Sequence, residues 1–472
     1  MMRSYQLKKI WTQILQTMIK KYKIIVVIFI LSLLPVGCMV GPKYSKPEQL
    51  KSDSYKNERN LDSLASVTNL KWFDLFNDDV LKDLITKGLQ NNYDLKIAVT
   101  RIDQLRAQLG YSKTNLLPSF QYAATINSNE KNLIPSNVGA SMSWEIDFWG
   151  RYRHENNAVQ IELLATEEAR KVVLSDIVSS IATAYFQMRN FDNQLEIAKQ
   201  TLSTREKYYD IINKRFQSGY ISEVDKVQIE QQVAIAQATI PNIKRQITNQ
   251  ENIISLLTGQ LPTEIPRGKS NTELRIVSEI PLSIPSSLLE NRPDVKAAEL
   301  KYKASNERIG TAQAMRFPSL NLAAIAGFAS ADLSNMFLGS SYAQNASAGI
   351  AGPIFAFGRN KRRVEIYRQQ AEELKFSYQK TYISAVIEVE QSIQDIKTYK
   401  EEWEARNRQV QAAFINYKLS YERYDSGYVS YLEVLDVESN LFQAQLSLSQ
   451  LSERQLSSTV QLYKALGGGW NL

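Results

Sequence analysis

Two periodicities alternate along the chain. Phe120, Tyr122, Ala124 and Ile126 alternate with Gln121, Ala123, Thr125 and Asn127, the period of two expected of a strand with unlike faces. A second run is clearer, with Val138, Ala140, Met142, Trp144, Ile146 and Phe148 on one face and Asn137, Gly139, Ser141, Ser143, Glu145 and Asp147 on the other. Each run has about ten residues, the length of a tilted transmembrane β-strand. Leu320, Leu322, Ala324, Ala326 and Phe328 repeat the pattern, and Ile350 to Phe357 supply a fourth, less regular strand around Pro353. Trp144, Phe148 and Trp149 gather at one strand end, as an aromatic girdle at a membrane interface would. That cluster, with Glu145 and Asp147 on the polar face, favours a membrane strand over a soluble sandwich hairpin.

The other periodicity is helical. Asn91 to Leu116 and Arg292 to Arg316 read as helices preceding each strand pair. After each pair comes a stretch without proline or glycine, Arg151 to Ser218 and Arg359 to Ser426, rich in Ala, Gln, Glu, Leu and Arg. About 67 helical residues rise ~100 Å, far more than a globular domain needs. Each stretch ends at a Ser-Gly-Tyr turn, and a second helix then returns to Gly259 or Gly467. Leu432, Leu435, Ser439, Phe442, Leu446 and Ser449 hold the 3-4 spacing of a coiled-coil seam. Pro241 is expected to interrupt and bend the first return helix, since it cannot donate a hydrogen bond.

These elements form a tandem duplication. At a shift of 200, Asn91, Asp94, Lys96, Ala98, Gly110, Pro118 and Ser119 meet Asn291, Asp294, Lys296, Ala298, Gly310, Pro318 and Ser319. At a shift of 208, Gly150-Arg151, Arg215 and Ser218-Gly219-Tyr220 meet Gly358-Arg359, Arg423 and Ser426-Gly427-Tyr428, which places one insertion in the second copy between Ser319 and Gly358. The expected organisation is a signal at 1–37, an extended tail at 38–69, a first repeat at 70–259, a Pro-rich linker at 260–290, a second repeat at 291–467 and a short tail at 468–472. Within the repeats, the strand pairs lie at about 118–148 and 318–357, and the long helical hairpins at 151–259 and 359–467. Four strands cannot close a barrel, and lipid does not tolerate an open sheet edge, so several chains must pool their strands.

Charge sharpens the picture at the N-terminus. The chain carries a formal +7, but Arg3, Lys8, Lys9, Lys20, Lys21 and Lys23 precede Cys38 with no acid among them, leaving about +1 beyond it. No basic stripe remains to neutralise a nucleic-acid backbone. The basic segment, the apolar run Ile24 to Leu34 and the small residues before Cys38 form an export signal, too short to span a bilayer. Met18 would also start a compact signal.

Candidate chemistry is sparse. Gly268-Lys269-Ser270 lacks the glycine that a phosphate loop requires, because Thr263 stands in its place. His154 has no second histidine to complete a metal site and reads as a surface residue at a helix start. One cysteine excludes an intrachain disulfide. No constellation points to an enzyme, a metal site or a cofactor.

Leu34-Pro35-Val36-Gly37-Cys38 resembles a lipobox, which implies a lipidated Cys38 as the mature N-terminus. Pro35 stands where leucine is usual. The whole plan resembles the TolC-like outer-membrane efflux family, in the lipoprotein branch that serves resistance-nodulation-division pumps. The resemblance is carried by Cys38 to Tyr44 (Cys-Met-Val-Gly-Pro-Lys-Tyr), Trp144 to Arg151 (Trp-Glu-Ile-Asp-Phe-Trp-Gly-Arg), Arg292 to Val295 (Arg-Pro-Asp-Val), Phe317 to Leu320 (Phe-Pro-Ser-Leu), Gly352 to Arg359 (Gly-Pro-Ile-Phe-Ala-Phe-Gly-Arg) and Tyr431 to Asp436 (Tyr-Leu-Glu-Val-Leu-Asp).

This resemblance implies a mixed α and transmembrane β-barrel fold: a homotrimer whose twelve-stranded barrel continues into a periplasmic helical coiled-coil tunnel. It implies a passive export duct in the outer membrane, anchored in its lipid and working with a periplasmic adaptor and an inner-membrane pump. It places a carboxylate aperture at Asp436, with Glu433 one turn earlier, and a latch in which Tyr424 donates to Asp225. Val429 stands where a relative carries an arginine. The turns at Gly219, Tyr220, Gly427 and Tyr428 would meet the adaptor. A type I protein-secretion duct and a pore-free structural coiled-coil lipoprotein are the competing expectations.

Overall fold

The computed structural model describes residues 38–47, 77–126, 136–271, 273–274 and 292–468. The expected export signal, most of the polar tail, most of the linker and the last four residues lie outside them. The elements are α1 (Asp79–Asn91), α2 (Tyr93–Thr114), β1 (Ser119–Thr125), β2 (Ser136–Ile146), α3 (Arg151–Gln217) and α4 (Glu223–Leu257), then α5 (Pro293–Ala314), β3 (Ser319–Ser330), β4 (Tyr342–Ala351), α6 (Arg359–Asp425) and α7 (Tyr431–Ala465). The duplication is visible in their lengths. Helices α2 and α5 have 22 residues each, α3 and α6 have 67 each, and α4 and α7 have 35 each.

The chain divides into two compact units. The first draws on Met1–Glu48, Asp103–Leu164 and Glu299–Phe376 and holds the sheet. Its strands pair antiparallel in the order β1-β2-β3-β4. Phe120 faces Met142, Trp144 faces Leu322, and Leu322 faces Ala348. Every residue of β1 and β4 is exposed, and each of these strands keeps one edge with no strand partner among the described residues, as its terminal place in the order requires. The fourth strand differs from expectation. It begins at Tyr342 and ends at Ala351, whereas Gly352 to Gly358 lie outside any strand. The run Ala343-Gln344-Asn345-Ala346-Ser347-Ala348-Gly349 has too few large apolar residues to alternate visibly, and hydrogen bonding to β3 sets its conformation instead.

His154 corrects another reading. It is buried, with Nδ1 2.7 Å from Glu307 Oε2, and not a surface residue. Beside it the segment after Cys38 is tied down. Asn306 donates to the Pro42 carbonyl at 3.2 Å, and the Tyr44 hydroxyl donates to Glu299 at 3.0 Å. Cys38 itself is exposed.

The second unit draws on Gln49–Ile102, Ala165–Ala298 and Ser377–Leu472. Its largest core packs Leu81, Leu84 and Ile85 of α1 against Ile177, Ile181 and Tyr185 of α3, Ile254 of α4 and Val460 of α7. Asp78 caps α1 by accepting from the Val80 N–H at 2.9 Å. The same carboxylate accepts from the Tyr185 hydroxyl and the Lys269 N–H, each at 2.9 Å. Gly268-Lys269 is thus a linker pinned by its backbone.

Helix α4 runs unbroken through Pro241, so the interruption expected there does not occur. Only one intrahelical bond is lost, and packing on both sides of the proline, through Ile229, Ala236, Ile243 and Ile247, holds the helix together. The seam of α7 also differs in part. Leu435, Phe442 and Ser449 are buried as the spacing requires, but Leu432 is exposed, and Glu438 occupies a buried seam position.

Candidate functional site

The expected aperture and adaptor residues all belong to the second unit, around the turns joining α3 to α4 and α6 to α7. Both long helices end in the same hydrogen-bonded motif. Tyr220 N–H donates to Arg215 O and Gly219 N–H to Phe216 O, both at 2.9 Å. Tyr428 N–H donates to Arg423 O at 2.9 Å and Gly427 N–H to Tyr424 O at 3.0 Å. These are Schellman closures, which need a left-handed residue at the turn. Gly219 (φ 74°) and Gly427 (φ 79°) supply it. The closures thrust Tyr220 and Tyr428 outward, 83% and 81% exposed.

The following helices start differently in the two copies. Ser222 caps α4 in a reciprocal box with Asp225: the Asp225 N–H donates to Ser222 Oγ at 3.3 Å, and the Ser222 N–H to Asp225 Oδ2 at 3.2 Å. In the second copy Ser430 makes no such side-chain bond. Glu433, the counterpart of Asp225, instead accepts from Arg423 at 3.1 Å and Ser420 at 3.4 Å. Asp436 lies one turn beyond Glu433, exposed, accepting from Asn440 at 3.3 Å.

Between the turns lies an aromatic core. Ile212, Ile229, Tyr431, Val434 and Leu435 are buried, with Tyr208, Tyr417, Tyr421 and Tyr424 packed on them. The hydroxyls of Tyr208 and Tyr417 are 3.1 Å apart, and burial raises the pKa of both. The ring of Tyr424 meets that of Tyr431 edge to face at 5.2 Å. Its hydroxyl is buried without a hydrogen-bond partner among the described residues, so within one chain it makes no bond to Asp225, whose carboxylate serves Ser222.

Sequence reasoning missed two cations here. Arg215 pairs with Asp425 at 3.3 Å and lies over the Tyr424 ring, 5.2 Å from its centroid, joining the first hairpin to the second. Its recurrence as Arg423 in the second copy was the available signal. Deeper in the bundle, Arg205 bonds both oxygens of Glu438 at 3.1 Å and donates to the Gln232 carbonyl at 2.9 Å, linking α3, α7 and α4. Burial raises the Glu438 pKa, against the pull of Arg205. No motif marks this pair, because charged residues on a helix usually read as a solvated face.

Of the aromatic cluster, all in the first unit, Trp144 donates its indole N–H to Leu116 O at 3.0 Å. Trp149 donates to Pro318 O at 2.8 Å and stacks on Phe317 with centroids 4.5 Å apart. Phe148 meets Trp149 edge to face at 4.9 Å.

The chain thus combines a four-stranded antiparallel sheet with, in each of two copies, a 67-residue helix followed by a 35-residue one. The description "outer membrane efflux protein" matches residues 84–260 and 284–468. The chain belongs to that family. The solvent efflux pump outer membrane protein SrpC of Pseudomonas putida is 31% identical over 454 residues, covering 92% of this chain and 96% of that relative. The cation efflux system protein CusC of Escherichia coli is 29% identical over 454 residues, covering 94% and 98%. Among solved structures, CusC superposes with a TM-score of 0.81 at 28% identity, covering 92% of this chain and 100% of that one. The open state of the Neisseria gonorrhoeae MtrE outer membrane channel gives 0.81 at 26%, covering 92% and 99%. As an outer membrane efflux protein, the chain places its strands in the outer membrane and its long helices in the periplasm.

Proposed function

We propose that three copies of this chain form a passive export duct for small solutes, completed by a periplasmic adaptor and an inner-membrane pump of the resistance-nodulation-division class. The supporting observation is the four-stranded sheet that, among the described residues, leaves one open edge on each of β1 and β4, which lipid tolerates only when other copies pair with it. Three copies would supply twelve strands. The relatives are named for solvents, toluene, antibiotics and cations, and the class common to them is the small solute. Lipidation of the exposed Cys38 would add an anchor to the bilayer.

In such an assembly Asp436 and Glu433 of each copy would ring the periplasmic constriction. Repelling carboxylates around a narrow axis attract cations and disfavour anions. The substitution Asp436→Asn is expected to lower the potassium-over-chloride permeability ratio severalfold in planar bilayers. An unchanged reversal potential would remove Asp436 from the aperture.

The contacts of Arg215 with Asp425 and Tyr424 support a resting latch that rests chiefly on Arg215. Arg215→Ala breaks the ion pair with Asp425 and the stacking on Tyr424, and is expected to raise resting conductance. Tyr424→Phe removes a hydroxyl that makes no bond to Asp225 among the described residues but keeps the ring under Arg215, and should change conductance less. Conductance rising in Tyr424→Phe alone would return the latch to the Tyr424 hydroxyl and Asp225.

A further inference from the structure

The two copies differ sharply where strand gives way to long helix. In the first, the run Glu145-Ile146-Asp147-Phe148-Trp149-Gly150-Arg151-Tyr152-Arg153 balances its charges. Arg151 pairs with Glu145 at 3.2 Å and Arg153 with Asp147 at 3.1 Å. The corresponding run is Pro353-Ile354-Phe355-Ala356-Phe357-Gly358-Arg359-Asn360-Lys361, continued by Arg362 and Arg363. Proline and phenylalanine replace both acids, while the cations increase.

Among the described residues Arg359 and Lys361 have no ion-pair partner, and both are exposed. Arg362 has only a solvent-exposed pair with Glu365, and Arg363 donates to the Met315 sulfur. Next to these cations stand Ile354, Phe355 and Phe357, 104%, 74% and 89% exposed. Phe357 has a φ of 47°, a costly conformation for a bulky residue, and its ring meets that of Phe355 edge to face at 4.5 Å. Arg359, Asn360 and Arg363 also line a cavity of about 650 Å³ with Trp149, Glu145 and Asp147. Those two acids are already satisfied by Arg151 and Arg153.

We propose that this turn is a binding site for anionic phospholipid headgroups of the periplasmic leaflet. It follows directly on β4, a membrane strand, and precedes a periplasmic helix, so it lies at the headgroup level. Exposed aromatic and aliphatic side chains suit the acyl boundary, and uncompensated cations suit phosphate. Cover of this apolar face by a neighbouring copy is the competing outcome, and the assembly of the two turn variants separates it from lipid binding.

The test uses full-length protein reconstituted in phosphatidylcholine vesicles containing phosphatidylglycerol, with retained lipids counted by native mass spectrometry. The wild type is expected to retain phosphatidylglycerol in preference. R359Q/K361Q/R362Q is expected to lower that preference about tenfold. Phe355→Ser with Phe357→Gly keeps every charge, relaxes the left-handed residue, and should lower retention about threefold. K244Q/R245Q/R408Q removes equal charge from periplasmic helices and should leave the preference intact. Unchanged preference in the first variant, or an equal fall in the K244Q control, would overturn the site. Failure of both turn variants to assemble would identify the face as a contact between copies and also overturn it.

Discussion

Arg205→Met is expected to cost about 3–5 kcal/mol of stability and to lower the melting temperature of the purified protein by several degrees. The side chains of Arg205 and Glu438 are 2% and 9% exposed, so removing the guanidinium leaves a carboxylate buried without its counter-charge. The double variant R205M/E438L replaces two desolvated ions by apolar groups of similar volume and should recover most of the loss. The pH dependence has a definite sign. Burial raises the Glu438 pKa above its unfolded value, and loss of Arg205 raises it further, so protonation favours the folded state. The deficit of Arg205→Met should therefore shrink as pH falls toward the raised value and be largest at neutral pH. Equal melting temperatures for Arg205→Met and the double variant at neutral pH would show that the pair does not act as a unit.

Tyr220→Asp combined with Tyr428→Asp is expected to abolish export by cells, a loss of at least about tenfold measured as drug or solvent tolerance, with membrane levels and thermal stability unchanged. Both rings point into solvent and neither belongs to the aromatic core, so folding does not need them. Their exposure beside two closed turns is what an adaptor-facing surface requires. The aspartates leave Gly219 and Gly427 in place, and so avoid the strain that any side chain would suffer at a φ near 75°. Normal tolerance at normal protein levels would place the adaptor elsewhere.

Much of this architecture is legible in the residues. Long helices are announced by the absence of glycine and proline over the stretches beginning at Arg151 and Arg359, and their ends by Ser-Gly-Tyr. Strands β1 to β3 show alternation because large apolar residues occupy one face. Strand β4 is shifted by several residues because alanine, serine, asparagine and glycine give alternation nothing to act on, and pairing with β3 decides its limits. Pro241 and Leu432 mislead for a related reason: both arguments treat a helix by itself, whereas neighbouring helices decide whether a proline breaks it and which side of a seam is covered.

The tip is legible in its turns and carboxylates but not in its cations. Val429 stands where one relative carries an arginine, and in this structure Arg215, from the other hairpin, reaches Asp425. Arg205 and Glu438 are 233 positions apart in sequence, and only the fold brings them together.

Ion conductance through the isolated protein in planar bilayers is the most direct test of an export duct built from pooled four-stranded sheets. Trimers separated from other species before insertion are predicted to give discrete, cation-selective conductance steps. Trimers that insert without conducting, or steps from chains that remain single, would contradict it.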